Sequence, residues 1–129
     1  MKIVATEPAG ASLLGGKDWA PHKIQGWTPD FVPDVLNPQV FDMLLPVTDE
    51  EGKEMSRRLA REEGIFVGIS AGATLAAALK AAERAEPGSV LLAMLPDTGE
   101  RYLGTYLFDD IKDGSDDEWL AEIEAAAAR

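Results

Sequence analysis

The sequence predicts an α/β fold, a mostly parallel sheet with flanking helices. Three observations carry this. Strand-like apolar runs alternate with helix-like runs along the chain, the pattern of βαβ units. Two runs, residues 65–69 (IFVGI) and 89–95 (SVLLAML), are continuously apolar, as expected of strands buried on both faces of a parallel sheet. The links between runs are short, which implies right-handed crossovers.

Taken in order, residues 2–7 (KIVATE) form a β-rich run that ends at Pro8. Residues 8–40 hold five prolines and make a long irregular segment, the kind of loop that is functional or disordered. Its aromatic residues Trp19, Trp27 and Phe31 argue for order. Residues 41–47 (FDMLLPV) are a second strand, with Pro46 marking an edge or a strand end. Thr48-Asp49-Glu50-Glu51 then reads as a capping box, its acids placed where the helix dipole favours them. Met55 and Leu59 share one face of that helix, and Gly64 stops it. The run 65–69 leads into a helix over 72–85, Pro87-Gly88 turns the chain, and the run 89–95 follows. Pro96-Asp97-Thr98-Gly99 is a turn. Ser115-Asp116-Asp117-Glu118 caps a terminal helix over 119–128.

With 129 residues the chain is long enough for one domain with a core. A net charge of −11 argues against nucleic-acid binding, which needs clustered Lys and Arg. No apolar run approaches the ~18 residues of a membrane span. The N-terminus is not that of a signal peptide, so a cytoplasmic location is the expectation. There is no cysteine and one histidine, His22. Disulfides, thiolate metal sites, a cysteine nucleophile and a histidine-cluster metal site are thereby excluded.

In parallel sheets, ligands bind at the carboxyl ends of strands. Three places put small or polar residues at such ends: Glu7-Pro8, Ser70-Ala71-Gly72 and Pro96-Asp97-Thr98. Two readings of VGISAGAT (residues 67–74) stand side by side. In one, Ser70 is a helix N-cap and Gly72 permits close packing. In the other, Ser70 and Gly72 border a ligand. Gly68-Ile69-Ser70-Ala71-Gly72 also matches G-x-S-x-G literally. That elbow needs a histidine later in the chain, and His22 lies before Ser70. A G-x-G-x-x-G dinucleotide fingerprint is absent here.

PHKIQGWTPDFVPDVLN, EEGIFVGISAGATLAAALKAA and LPDTGERYLGTYLF occur in this order and spacing, and together they resemble the cysteine synthase family of pyridoxal-phosphate (PLP) enzymes. The resemblance covers about residues 2–108 and extends to the sister group cystathionine β-synthase. It implies that the sheet is part of the larger domain of a fold-type II PLP enzyme. The chain resembles only the C-terminal part of such enzymes. The family's Schiff-base lysine, its Thr-Ser-Gly-Asn-Thr loop and its glycine-rich phosphate loop have no counterpart among these residues. None of the six lysines lies in the lysine motif. Residues 1–108 are thus expected to be enzyme domain, and 109–129 an acidic linker with a terminal helix.

The resemblance further implies that Ser70 hydrogen-bonds the pyridine nitrogen of PLP, that Gly72 leaves room beneath the ring, and that Pro96 and Asp97 flank the cofactor. Gln25, Gly26, Trp27 and Phe31 fall in the family's substrate loop. The usual sequence after Gln-Gly is Ile-Gly-x-Gly-Phe, and here it is Trp27-Thr28-Pro29-Asp30-Phe31, so Trp27 either shapes the substrate pocket or packs over the loop. His22 and Lys23 match the face that meets serine acetyltransferase, or are an ordinary exposed basic pair. Glu100-Arg101-Tyr102 reads as a pocket contact or, preferably, as buried ion pairing. Residues 109–117, with five aspartates, read as a solvated acidic run.

The function so implied is cysteine synthesis from O-acetylserine and sulfide by a PLP-dependent homodimer, with catalysis absent from the 129-residue chain alone. The alternatives are condensation of serine with homocysteine, as in cystathionine β-synthase, and a non-catalytic fragment that binds a partner.

Overall fold

The computed structural model describes residues 1–111 and 114–128; Lys112, Asp113 and Arg129, which fall in the expected acidic tail, lie outside the described residues. Two strands, β1 (Val4–Pro8) and β2 (Met43–Val47), pair in parallel with Val4 opposite Met43 and Pro8 opposite Val47. Among the described residues three helices follow: α1 (Asp49–Glu63), α2 (Ile69–Ala82) and α3 (Asp116–Ala127), with a 3-10 turn at Gly99–Tyr102. Pro46 sits in β2 with its side exposed, as a residue without an N–H to donate must at a sheet edge. Among the described residues, no helix is long and apolar enough to cross a membrane.

α1 begins where its capping box predicts. Glu51 N–H donates to Thr48 Oγ1 at 3.1 Å, and Thr48 N–H donates to Glu51 Oε2 at 2.8 Å. Gly64 ends it in the left-handed region at φ 69°. Ser115 caps α3 in the same reciprocal way with Glu118, and α3 has no buried residue.

The two continuous apolar runs are not strands of a ladder. Residues 65–69 make one antiparallel bridge, Val67 with Thr98, and Ile69 is already helical. Ile65 and Phe66 are exposed, whereas Val67 and Ile69 are buried. The Phe66 ring lies 2.8 Å from where a Cβ on Gly99 would sit, so that crossing requires glycine. Residues 89–95 pair with no described strand. Val90, Leu92 and Met94 are exposed while Ala93 and Leu95 are half-buried. That period of two is what an extended chain gives when one side alone finds a surface. Burial on both faces requires strands and helices beyond the two strands present here.

The helices pack through small residues. A Cβ on Gly72 would collide with Ser56 Oγ and the Gly52 carbonyl, and one on Gly52 would stand 3.2 Å from Ala73 Cβ. Ser56 Oγ bonds the carbonyls of Gly52 (3.0 Å) and Gly68 (2.9 Å), which satisfies a hydroxyl buried at the crossing. Ile24, Leu45, Val47, Ile69, Ala73 and Leu107 form the centre of the core.

The stretch before α3 is tied to α1. Arg57 donates through Nε (2.8 Å) and Nη2 (2.6 Å) to the Leu107 carbonyl and pairs with Asp110, and Lys53 Nζ lies 2.6 Å from Asp109 and 3.0 Å from Asp110. The first two carboxylates of the acidic run, though exposed, belong to this network.

Candidate active site

Ser70 is the second residue of α2, one position inside the helix. The N-cap is Gly68, in extended conformation and without a side-chain cap bond, so the capping reading of Ser70 does not hold. The helix starts three residues earlier than the predicted 72 because Gly68 and Ile69 already meet α1. Ser70 is 5% exposed, and among the described residues no hydrogen bond engages its Oγ. It has none of the positive φ that a strained nucleophile elbow would show.

Ser70 opens onto a cavity of about 350 Å³ lined also by Gln25, Gly26, Trp27, Pro96, Asp97 and Tyr102. Three sequence-distant segments, 25–27, 70 and 96–102, thus converge on one space. Gly68 N–H donates to the Asp97 carbonyl at 3.1 Å, which holds the turn against the start of α2. Tyr102 crosses over Gly68 so closely that a Cβ there would lie 2.9 Å from Cζ of the ring. Its hydroxyl donates to Asp97 Oδ2 at 2.9 Å, and Thr98 N–H donates to Oδ1 at 2.8 Å. These bonds, the Tyr102 one foremost, with the Arg101 charge assisting, lower the Asp97 pKa from its usual value. Burial, with Asp97 assisting, raises that of Tyr102.

The other candidate residues lie elsewhere. Gly72 faces α1 and not the cavity; its lack of a side chain serves helix packing. Phe31 is exposed on a neighbouring cavity of about 240 Å³. Arg101 and Glu100 are exposed, Arg101 Nε lying 3.5 Å from Asp97 and Glu100 accepting from Thr98 Oγ1, so the buried ion pair expected of them is not formed. Tyr102, the third member of that triplet, is the one that reaches the cavity. His22 Nε2 donates to the Thr28 carbonyl at 3.1 Å, and Lys23 places Nζ 3.9 Å from the centre of the Tyr106 ring while its N–H donates to Asp49 at 3.0 Å. Glu7, at the first of the three strand ends singled out in the sequence, is a buried carboxylate that does not line the Ser70 cavity. It accepts from Ser12 Oγ (2.7 Å), Leu14 N–H (2.9 Å) and Gly15 N–H (3.3 Å), and so folds residues 8–15 back over the strand end.

Residues 1–97 match the family described as pyridoxal-phosphate dependent enzyme. The chain belongs to this family. PLP is the cofactor of its members. An O-ureido-L-serine synthase from Streptomyces lavendulae is 55% identical over 127 residues, which is 98% of this chain and 39% of that protein. A cysteine synthase from Staphylococcus aureus (strain Mu50 / ATCC 700699) is 44% identical over 112 residues, 85% of this chain and 36% of that one. The crystal structure of an O-ureido-L-serine synthase superposes with a TM-score of 0.86 at 58% identity, covering 94% of this chain and 38% of that chain. The fold is that of a portion of these fold-type II enzymes. This chain spans under two-fifths of the length of the relatives it matches.

The residues present suit one edge of the PLP ring. A buried serine hydroxyl without a partner, at the first turn of a helix, can donate to a neutral ring nitrogen. The partial positive charge of the helix start opposes protonation there.

Proposed function

We propose that this chain is the C-terminal portion of a PLP-dependent β-replacement enzyme acting on O-acetyl-L-serine. The observation that carries the reading is Ser70: buried, free of any capping duty, and open to a cavity shared with Gln25, Asp97 and Tyr102. When bound, PLP withdraws electrons from the amino acid's Cα, so that a substituent on Cβ can leave and another can take its place. Ser70 Oγ–H would hold the ring nitrogen in its neutral form. That weakens electron withdrawal, which suits a reaction in which departure of the β-substituent relieves the charge. Pro96 and the Asp97–Tyr102 pair would bound the ring and its substrate. Asp97, with its lowered pKa, stays ionised near neutral pH and keeps the Tyr102 hydroxyl oriented.

The nucleophile we assign is hydroxyurea, giving O-ureido-L-serine. A ureido group is planar and carries several N–H donors. The cavity offers acceptors to match in the half-buried Asp97 and the exposed Gln25, which sulfide has no use for. The likeness to O-ureido-L-serine synthase runs over nearly the whole chain. Cysteine synthesis from sulfide is the second reading, supported by the 44% likeness to cysteine synthase. Homodimer formation, and contact of His22 and Lys23 with serine acetyltransferase, belong to that second reading.

The test uses a complete polypeptide carrying this segment, loaded with PLP and given O-acetyl-L-serine with hydroxyurea or with sulfide. O-Ureido-L-serine as the preferred product is expected. Cysteine alone would assign the second reading, and neither product would overturn the class. Ser70→Ala is expected to lower turnover roughly three- to tenfold, as loss of one hydrogen bond does, and to shift the cofactor's absorbance.

A further inference from the structure

We propose that Trp27 is the partition that limits the size of nucleophile this site accepts, and that Trp19 and His22 hold the partition shut; the proposal rests on the β-replacement reading. Among the described residues, Trp27 alone lines both the cavity of Ser70, about 350 Å³, and the neighbouring one, about 240 Å³. The second cavity is walled largely by hydrocarbon, from Leu13, Leu14, Phe31, Val32 and Leu36. This space is a groove open to solvent at Phe31, Val32 and Leu36, and its volume exceeds the ~150 Å³ that holds a benzene ring. Removing the indole would therefore join to the polar site an apolar annex large enough for an aromatic tail.

The indole is held on both sides. Before it, Gly26 at φ 85° makes a tight turn in which Trp27 N–H donates to the Ile24 carbonyl at 3.2 Å. After it, Thr28 stands at φ 24°, a backbone conformation unusual for a β-branched residue. The Thr28 carbonyl accepts two bonds, from Trp19 Nε1 at 3.0 Å and from His22 Nε2 at 3.1 Å. His22 Nδ1 is buried and has no partner among the described residues. A neutral ring that donates through Nε2 leaves just that lone pair unpaired, so the bond to Thr28 is what orients the histidine. Two side-chain donors thus converge on one carbonyl, beside the residue that separates the cavities. Trp19 and His22 are positioning residues; they act through Trp27.

The probe is benzyl mercaptan, compared with whichever nucleophile the wild type uses. Acetate leaves as the Cβ–O bond breaks, the thiol sulfur then bonds Cβ, and the thiol proton passes to solvent, giving S-benzyl-L-cysteine and acetate. In the complete, PLP-loaded polypeptide, Trp27→Ala is expected to raise the ratio of kcat/KM for benzyl mercaptan to that for the natural nucleophile by roughly ten- to two-hundredfold. Trp27→Phe should raise it less. His22→Ala should raise the KM of the natural nucleophile with little change in kcat. His22→Gln, which keeps a donor for Thr28, should restore the wild-type value. A crystal structure of Trp27→Ala should show one continuous cavity. An unchanged ratio in variants that still turn over, or two cavities that stay separate, would overturn the partition. If Trp27→Ala does not fold, Trp27→Phe and the His22 pair decide the matter by the same ratio. If the cavities merge yet neither wild type nor variant exchanges the β-substituent, the β-replacement reading falls and takes the limit on nucleophile size with it, whereas exchange with cavities that stay separate overturns the partition alone.

Discussion

Gly72 and Ser70 stand two residues apart and have opposite surroundings. Gly72 touches the backbone of α1, where an added methyl would run into the Gly52 carbonyl and the Ser56 amide, neither of which can swing away as a side chain end would. Overpacking of this kind costs about 1–3 kcal/mol. Gly72→Ala is expected to lower the thermal midpoint of a folded polypeptide carrying this segment by several degrees, and an unchanged melt would show that α1 and α2 can part freely. Ser70 points away from α1 into open space. The sequence could present both as small residues near a strand end, but which one faces a neighbour and which a cavity depends on the register at which α2 begins. Gly68, the N-cap, marks that register, and Tyr102, far along the chain, leaves no room for a Cβ there. In the same way Gln25, Trp27 and Asp97 were legible as site residues from motif resemblance, while Tyr102 needed the fold to bring it across.

The helices were largely legible because their signals are local. Thr48, Glu51 and Gly64 mark the two ends of α1 within the segment itself, and the capping boxes of α1 and α3 formed as their spacing requires. The runs 65–69 and 89–95 were not, since a strand is defined by the neighbour it pairs with. The tether between α1 and the stretch 107–110 was hidden for the same reason, fifty residues separating its partners. It has a consequence for pH. Hydrogen bonds from Arg57 and Lys53 hold the Asp110 carboxyl well below the ordinary aspartate range, and Lys53 and Arg57 are raised in turn. Asp110 therefore titrates lower folded than unfolded. Its contribution is complete above the unfolded value near ~3.9 and is lost as pH falls through the folded one. Amide-exchange protection at residues 107–111 should hold from neutral pH to about 4 and fall only in stronger acid. Release already at pH 6 would mean that the network does not hold this stretch.

Two paired strands and two packed helices leave much apolar surface open. Val90 is 97% exposed and Leu92 93%, in a segment whose composition is that of a core strand. Unpaired backbone beside apolar side chains invites association along the edge. The 129-residue chain alone is expected to be oligomeric or to bind a hydrophobic dye, as read by sedimentation and dye fluorescence. A cooperative melt of a monomer would contradict this. Its hold on PLP should also be weak. One neutral hydrogen bond from Ser70 contributes about 1 kcal/mol, whereas even millimolar binding needs about 4 kcal/mol.

By itself the sequence determined the family, both ends of α1 and the capping box that starts α3, the α/β class, and the presence of Ser70, Gln25, Trp27 and Asp97 in motifs that bear chemistry. These are carried by residue type and near spacing, which survive without the fold. Only the tertiary structure decided that Ser70 is not a cap, that Gly72 belongs to a helix crossing, that Tyr102 closes the cavity over Asp97, and that Trp27 stands between two spaces. Each of those depends on contacts between segments distant in sequence, and a contact across such a distance leaves no mark in the local order of residues.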